Sequence, residues 1–480
     1  SKGLIDCKSL ITHEFEFSLA EDAYKELENS SSLGILLKYK NTTSIENSSR
    51  LIPLRDKARS ESIQKTISFI GGGNYASRVL IPAFKKTNAK LDTIVTSGGV
   101  SASHHGKKFG FLNASTNIND ALNENTNAVI IATPDHWHSR VAIAAAKEGK
   151  HVYCEKGLTR TFDETIELYD TVKETGITFQ LGHQNRQVEA YEQAKKIINQ
   201  GLLGPVNLVQ LTTNRNSPGG AWVWGIDPRG NSKTIDWDTF QEPSPNKIPF
   251  GEEALRRFFR WRCWFDYGTG LSGDLFSHDF DQINQIMGLG IPKYASSSGG
   301  IYYYKDGRDV PDVWNATLEY PDKDLTVLYS ATLSSLNSRG NRIMGHDATM
   351  QIGGESNSGA LGGFIVKADP YSTRYKDRID KGVINSKYPI YSYAPGSKEI
   401  DGITSATSQY FANKGLLYTY RDGKRVDSTH LHVKDWIDSI RSKSLPTCNI
   451  EEALHEGVTC HMATESYLQG RRIEWDPVNR

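Results

Sequence analysis

Hydrophobic and polar positions change their period near residue 186. Before that point short apolar runs recur: Thr66–Ile70, Leu91–Thr96, Ala128–Ala132, His151–Cys154 and Ile177–Leu181. At least half of each is apolar, and all but Ile177–Leu181 lack strict alternation, as expected of strands covered on both faces. Segments with helical spacing lie between them, such as SRVAIAAAKEG and TFDETIELYDTVKETG. Strand–helix alternation of this kind predicts an α/β domain with a doubly wound parallel sheet. Beyond residue 186 the runs lengthen and alternate: VNLVQLTTN, ASSSGGIYYY, WNATLEY, LTVLYSATL and ATMQIGG. They predict a mainly antiparallel sheet with one solvated or partner-covered face. LHVKDWIDSIRS and EEALHEGVTCHMATESYLQG predict two closing helices, while residues 41–63 have the Ser/Asn/Arg-rich composition of a linker. The expected divisions are an extension and linker over 1–63, a first domain over 64–186 and a second over 187–480.

The first strand runs straight into Gly71-Gly72-Gly73-Asn74-Tyr75-Ala76 and then a helical pattern. This is the G-x-G-x-x-G/A turn of a Rossmann-type dinucleotide-binding domain. Gly71 suits the tight turn, Gly73 suits close approach to a pyrophosphate, and Ala76 suits close helix packing. An acid is expected to end the second strand and bind the ribose hydroxyl. Here that strand ends Val95-Thr96-Ser97, and Asp92 stands at its other end. NAD and NADP are both admitted, with Ser97 as a ribose-side contact and Lys107, Lys108, His104 or His105 as possible sources of positive charge.

Composition narrows the class. The chain has 480 residues and a formal net charge of +0, which gives no global field toward nucleic acid or an anionic membrane. No run approaches the roughly 18 apolar residues of a membrane span. The opening residues, SKGLIDCKSLITHEF, do not read as a leader. Cys7, Cys154, Cys263, Cys448 and Cys460 are scattered, odd in number and without a CxxC pair, so neither a disulfide framework nor a zinc site is expected. A cytoplasmic setting follows, with no nucleic-acid or membrane partner and no metal.

Several motifs together resemble the Gfo/Idh/MocA oxidoreductases, named for glucose–fructose oxidoreductase and inositol dehydrogenase. They are IGGGNYA, AVIIATPDHWHSRVAIAAAKEGKHVYCEK, ITFQLGHQNR, GLLGPV, GTGLSGDLFSHDFDQINQIMGLG and YLQGRRIEWDP, spread over residues 64–480. The resemblance implies a Rossmann domain followed by an α/β domain with a large, open, mainly antiparallel sheet. It also implies hydride transfer between NAD or NADP and a sugar or cyclitol hydroxyl, and a homo-oligomer, dimer or tetramer, paired through the open sheet. Residues 1–40 are similar to the end of a medium-chain alcohol dehydrogenase, as in two-domain fusions, and are assigned no chemistry.

Oxidising an alcohol needs a hydride acceptor, a base for the hydroxyl proton and a cation for the developing alkoxide. Lys156 ends the fourth strand, where open α/β sheets bind ligands, and matches the family's EKP lysine. Glu155 matches the motif's glutamate on the cofactor side. Gly157 departs from the motif's proline and gives up its restraint on φ. Asp274 and His278 are four apart and share a face if the segment is helical. They match the family's substrate-binding aspartate and catalytic histidine, which makes His278 the general base; Asp281, a turn further on, is a weaker candidate. Thr133, Pro134 and His136 match a loop that lines the nicotinamide ribose, and His183, Gln184 and Arg186 end the fifth strand at the same crevice, within reach of cofactor or sugar, with Arg186 a candidate sugar ligand. Trp222, Trp224, Trp237, Trp261 and Trp264 crowd one window with Arg262 and Asp266. Trp222 and Arg262 are expected to touch the sugar, with Arg262, Trp264 and Asp266 on one face of an extended segment. Core packing is the ordinary role of such residues, and dinucleotide turn, Lys156 and Asp274–His278 together favour chemistry. Two other readings keep the fold: a tightly bound NAD assisting glycosidic cleavage, and a sensor without turnover.

Overall fold

A computed structural model describes residues 10–27, 32–38, 50–55, 66–217, 219–337, 339–353, 363–394, 418–422 and 424–477. Cys7 and most of the expected linker lie outside the described residues. The chain divides into two compact units, Ser1–Arg50 and Leu51–Arg480. In the first, strands His13–Glu16 and Ile35–Lys38 pair in parallel, with helix Ala20–Glu26 between them in sequence.

The second unit holds two sheets. One has seven strands, in the order Ile52–Pro53, Asn113–Ser115, Lys90–Val95, Thr66–Ile70, Thr126–Ile131, His151–Cys154 and Phe179–Leu181. All neighbours are parallel except the outermost pair. The strand order reverses direction at Thr66–Ile70 and Thr126–Ile131, which opens a crevice at their carboxyl ends. Residues 52 and 53, expected in the linker, are instead an edge strand: Ile52 pairs with Ala114, and Leu54 N donates to Leu112 O at 2.8 Å. A proline at an edge strand is tolerated because its missing N–H has no ladder to complete.

The strands are buried on both faces, as the continuous apolar runs predict. On one face Phe69, Ile94, Phe111, Ile130 and Tyr153 pack with Val433, Trp436 and Ile437. Those last three come from helix Ser428–Ser442, where they stand at i, i+3 and i+4 and so share one stripe. Trp436 sits edge-on to Phe84 and Tyr153, with centroids 5.9 and 5.8 Å away. This helix therefore completes the first domain's core, although a cut at residue 187 assigns it to the second.

The other sheet has nine strands, in the order Tyr391–Tyr393, Phe364–Ala368, Ala348–Ile352, Asn341–Gly345, Val206–Asn214, Leu325–Thr332, Val313–Tyr320, Tyr294–Gly300 and Ile473–Glu474. It is antiparallel apart from Val206–Asn214 against Leu325–Thr332. Trp314, Ala316, Leu318, Val327 and Tyr329 face the core and meet Phe276, Phe280 and Ile283. The opposite face, including Asn315, Thr317, Thr326 and Leu328, stays partly or fully exposed. Among the described residues no helix is long and apolar enough to cross a membrane.

Candidate active site

The glycine turn lies at the crevice. Gly71 has φ +104°, and a Cβ there would stand 2.4 Å from the Ala132 carbonyl oxygen, so only glycine fits. A Cβ on Gly73 would meet nothing within 4 Å, which leaves that backbone open to a ligand. The helix begins at Asn74, with Ala76 buried against the sheet. Its first N–H groups are thus presented where a pyrophosphate belongs. Tyr75 differs from expectation: its ring packs with the core residues around Phe84, so only its backbone faces the turn. Ser97 is exposed beyond the second strand. Asp92 is buried under Thr93 and Asn123, which both donate to Oδ2 at 2.9 Å. Lys107 and Lys108 fall in the last turn of helix Gly99–Phe109, while the His105 ring lies 3.5 Å from where a Cβ on Gly72 would stand.

One strand and one helix bring the chemical groups together. Strand His151–Cys154 delivers Glu155 and Lys156 to the crevice. The second motif opens with a π-helical turn, Ser272–Phe276, that continues as α-helix Ser277–Met287. Such turns often mark functional sites. Lys156 Nζ reaches Asp274 Oδ1 at 2.7 Å and its backbone O at 2.9 Å. Arg262 Nε donates to the same Oδ1 at 3.0 Å, and its guanidinium lies 4.2 Å from the centre of the Trp261 ring. Burial alone would raise the Asp274 carboxyl, but the two cations more than offset it and hold it well below the usual range. Burial, with Lys156 and His183 nearby, pushes His278 well below an ordinary imidazole, which favours its neutral form. Its Nδ1 is enclosed without a hydrogen-bond partner.

Two further carboxyls adjoin Lys156. Glu155 is pushed up to about 7 by burial, against the pull of Lys156 and His183, and its Oε1 has no hydrogen-bond partner. It presses on Gly182, where a Cβ would lie 2.8 Å from that oxygen. Asp135 is likewise raised to about 7 by burial, against Arg262 and Lys156. A Cβ on Gly157 would make ordinary contacts, at 3.4 Å to Gly273 O and 3.5 Å to Asp135 Oδ2. His138 pairs Nδ1 with Gly157 O at 2.7 Å and Nε2 with Thr133 O at 2.8 Å. The two crevice loops are thereby fastened without a proline.

Four expected contacts are corrected. Arg186 is buried and spent on Asp281, Glu452 and Thr447 O, which makes it and Asp281 a structural ion pair rather than sugar ligands. His136 is buried with Nε2 2.7 Å from Phe240 O, packed against Phe240 and Tyr267, so its ring does not line a ribose. Trp222 belongs to the second domain's core. The 261–266 segment is not extended: Trp261–Cys263 is a 3₁₀ turn, so Arg262 meets Asp274, Trp264 enters the core and Asp266 meets Arg257. Thr133 and Pro134 stay half-buried on the crevice loop. His183 is fully buried and pairs through Nε2 with Glu456 Oε2. Its ring meets His278 edge-on, at 5.2 Å between centroids. The donor atoms of His183, Asp281 and Glu456 lie within 4.8 Å of one another. They are already committed, to the His183–Glu456 pair and to Arg186, and so make a poor metal site. Asp135 and Glu456 were not anticipated, nor was Arg215, whose charge is felt at Asp274 and His278.

The residues fit a nicotinamide dinucleotide on three observations: the open Gly73 backbone, the exposed helix start, and the unpartnered Glu155 oxygen at the same sheet edge. Gly71, Gly73, Asn74 and the Tyr75–Ala76 backbone would hold its phosphates, with Ser97, Thr133, Pro134 and Glu155 along its length.

Comparison with known proteins agrees. Residues 65–183 match the model of the oxidoreductase family's NAD-binding Rossmann fold, and residues 232–475 match that of its C-terminal alpha/beta domain. A levoglucosan dehydrogenase of Pseudarthrobacter phenanthrenivorans is 30% identical over 200 residues, 42% of this chain and 45% of that protein. A 2,7-anhydro-N-acetylneuraminate hydratase of Escherichia coli is 34% identical over 205 residues, 42% of this chain and 44% of that protein. These matches span less than half the length of either relative. Among solved structures, levoglucosan dehydrogenase with NADH and levoglucosan superposes with a TM-score of 0.61, at 18% identity, over 86% of this chain and 99% of that one, a likeness of fold. The chain belongs to the Gfo/Idh/MocA oxidoreductase family.

Proposed function

We propose that the protein transfers hydride between NAD or NADP and a hydroxyl of a sugar, glycoside or cyclitol. The observation that carries the reading is the meeting of Lys156, Asp274 and neutral His278 at the crevice that the Gly71–Gly73 turn also borders. Bound nicotinamide supplies the hydride acceptor or donor. His278 takes the hydroxyl proton in the oxidative direction. Lys156 donates to the same oxygen as its charge develops, which is the largest electrostatic contribution such a site can make. Asp274 holds Lys156 in place through Oδ1 and the backbone carbonyl, and Arg262 keeps that carboxylate ionised. The second strand's lack of a terminal acid leaves both dinucleotides admissible. The partly exposed sheet face suits pairing with a second copy, and the buried thiols Cys154, Cys263, Cys448 and Cys460 suit a reducing, cytoplasmic setting. Absorbance at 340 nm across sugars with each dinucleotide tests the reading; no change with any pair would overturn it.

A second reading is favoured by Asp135. Redox-assisted elimination of a glycosidic bond needs a further proton carrier beside the base, and a buried carboxyl raised to about 7 next to Lys156 is suited to that task. Multiple turnovers of p-nitrophenyl glycosides without added dinucleotide would favour it. The same test returning one turnover or none leaves simple oxidoreduction.

A further inference from the structure

Arg215 is the cation at the crevice that the chemistry above does not use. It follows strand Val206–Asn214, and its N–H donates to Thr332 O at 2.9 Å while Asn216 bridges Ser334, so the extended line continues. At period two, Arg215 shares a face with Thr213. Thr213 donates to Asp279 on helix Ser277–Met287, and Asn341 Nδ2 donates to the same carboxylate at 2.9 Å. That face therefore looks onto the start of the helix, where His278 and Asp274 stand. Arg215's charge accordingly acts on Asp274, His278 and Asp279.

The charges at this end of the cleft do not balance. Lys156 and Arg262 both answer to Asp274. Asp279 is engaged by Thr213 and Asn341, and Asp135 is raised by burial. Arg215 is exposed, and no acid lies within ion-pair distance of it among the described residues. A neutral sugar oxygen needs one cation for its developing charge, and Lys156 is that cation. An exposed guanidinium beside it is a planar fork whose natural partner is a carboxylate or phosphate.

We propose that the substrate is an acidic sugar, bearing a carboxylate or a phosphate that Arg215 binds. This rests on the reading of the Lys156–Asp274–His278 cleft as the sugar site. Calorimetric titration of the NAD-saturated full chain with methyl glucuronide, galacturonide and mannuronide, each against its neutral methyl glycoside, tests it, with the hexose 6-phosphates as a second arm. At least one acidic member is expected to bind about tenfold or more tighter than its neutral counterpart, and more weakly as salt rises. The arm with the larger preference identifies carboxylate or phosphate. Arg215→Gln is expected to cut that preference about 10- to 100-fold, and Arg215→Lys to restore part of it. Absence of an acid preference in every pair, or a preference untouched in Arg215→Gln, overturns the proposal. NADH formation is read separately. Acid-selective binding without reduction would sink the hydride reading alone, and reduction of neutral sugars in preference to acids would sink this inference alone.

Discussion

Lys156→Met is the most revealing substitution, because one ammonium is asked to do two things. In the proposed reaction it stabilises the reacting oxygen, and in the fold it holds Asp274 at 2.7 Å with Arg262 sharing the same carboxylate oxygen at 3.0 Å. At an effective dielectric near 20 the lost Lys–Asp attraction is about 6 kcal/mol gross. Most of that is offset by the lysine no longer leaving water and by Arg262 staying in place, so a net loss of about 2 kcal/mol in unfolding free energy is expected. Asp274 is ionised in the fold at unusually low pH, so it adds stability above its unfolded pKa near 3.8, and this is lost only as pH falls through the depressed folded value. Without Lys156 the folded value rises, so this contribution is smaller and is used up at a higher pH. Turnover should fall about 100- to 1000-fold, the cost of removing one donor to a developing oxyanion. Dinucleotide affinity should stay near the parent's, since the glycine turn is untouched. Steady-state absorbance at 340 nm, dinucleotide titration by fluorescence and urea unfolding at pH 7 and pH 3 measure these quantities. A turnover within threefold of the parent would refute the role given to Lys156.

Gly73→Ala should fold with an unchanged melting temperature, since its Cβ meets nothing in the protein, yet bind dinucleotide at least about tenfold more weakly; Gly71→Ala should fail to fold stably, because its Cβ would strike the Ala132 carbonyl. Glu155 has a folded pKa of about 7 against about 4.5 unfolded, so its burial weakens the fold progressively as pH rises between those values. Glu155→Gln should therefore raise the calorimetric melting temperature more at pH 8 than at pH 4; an equal gain at both would contradict the assignment. The His183 ring is fully buried; against burial, Glu456 and Asp281 raise its pKa, which favours a positive charge beside His278. Glu456→Gln should release that proton and move the acidic limb of the kcat/KM pH profile upward by about one unit; an unmoved limb would show that the pair only supports the fold.

The fold was legible because its cause is local. Continuous apolar runs separated by helical spacing leave a parallel sheet few alternatives, and a glycine triplet between strand and helix has one economical use. Lys156 and Asp274–His278 could be found for the same reason: each sits in a short motif whose position on the sheet or helix follows from the pattern around it. What could not be read depends on contacts far apart in sequence. Arg186 reads as a strand-end cation until Asp281 and Glu452 are seen to consume it. His183 gives no hint of a partner on helix Ile450–Gln469. Trp222 belongs to a tryptophan-rich window in sequence but to the core in space. Helix Ser428–Ser442 completes the first domain because its apolar stripe fits a sheet formed hundreds of residues earlier. Arg215 was within reach, as a cation just past the carboxyl end of an alternating strand.

The central claim is that this crevice passes a hydride from a sugar carbon to nicotinamide. The most direct test incubates the purified protein with unlabelled NAD or NADP and fully carbon-deuterated sugars, neutral and acidic, and weighs the recovered dinucleotide by mass spectrometry. The account predicts a reduced dinucleotide carrying one deuterium on its nicotinamide ring, formed by the parent and formed about 100- to 1000-fold more slowly by Lys156→Met. Recovery of unlabelled, fully oxidised dinucleotide with every sugar would contradict it.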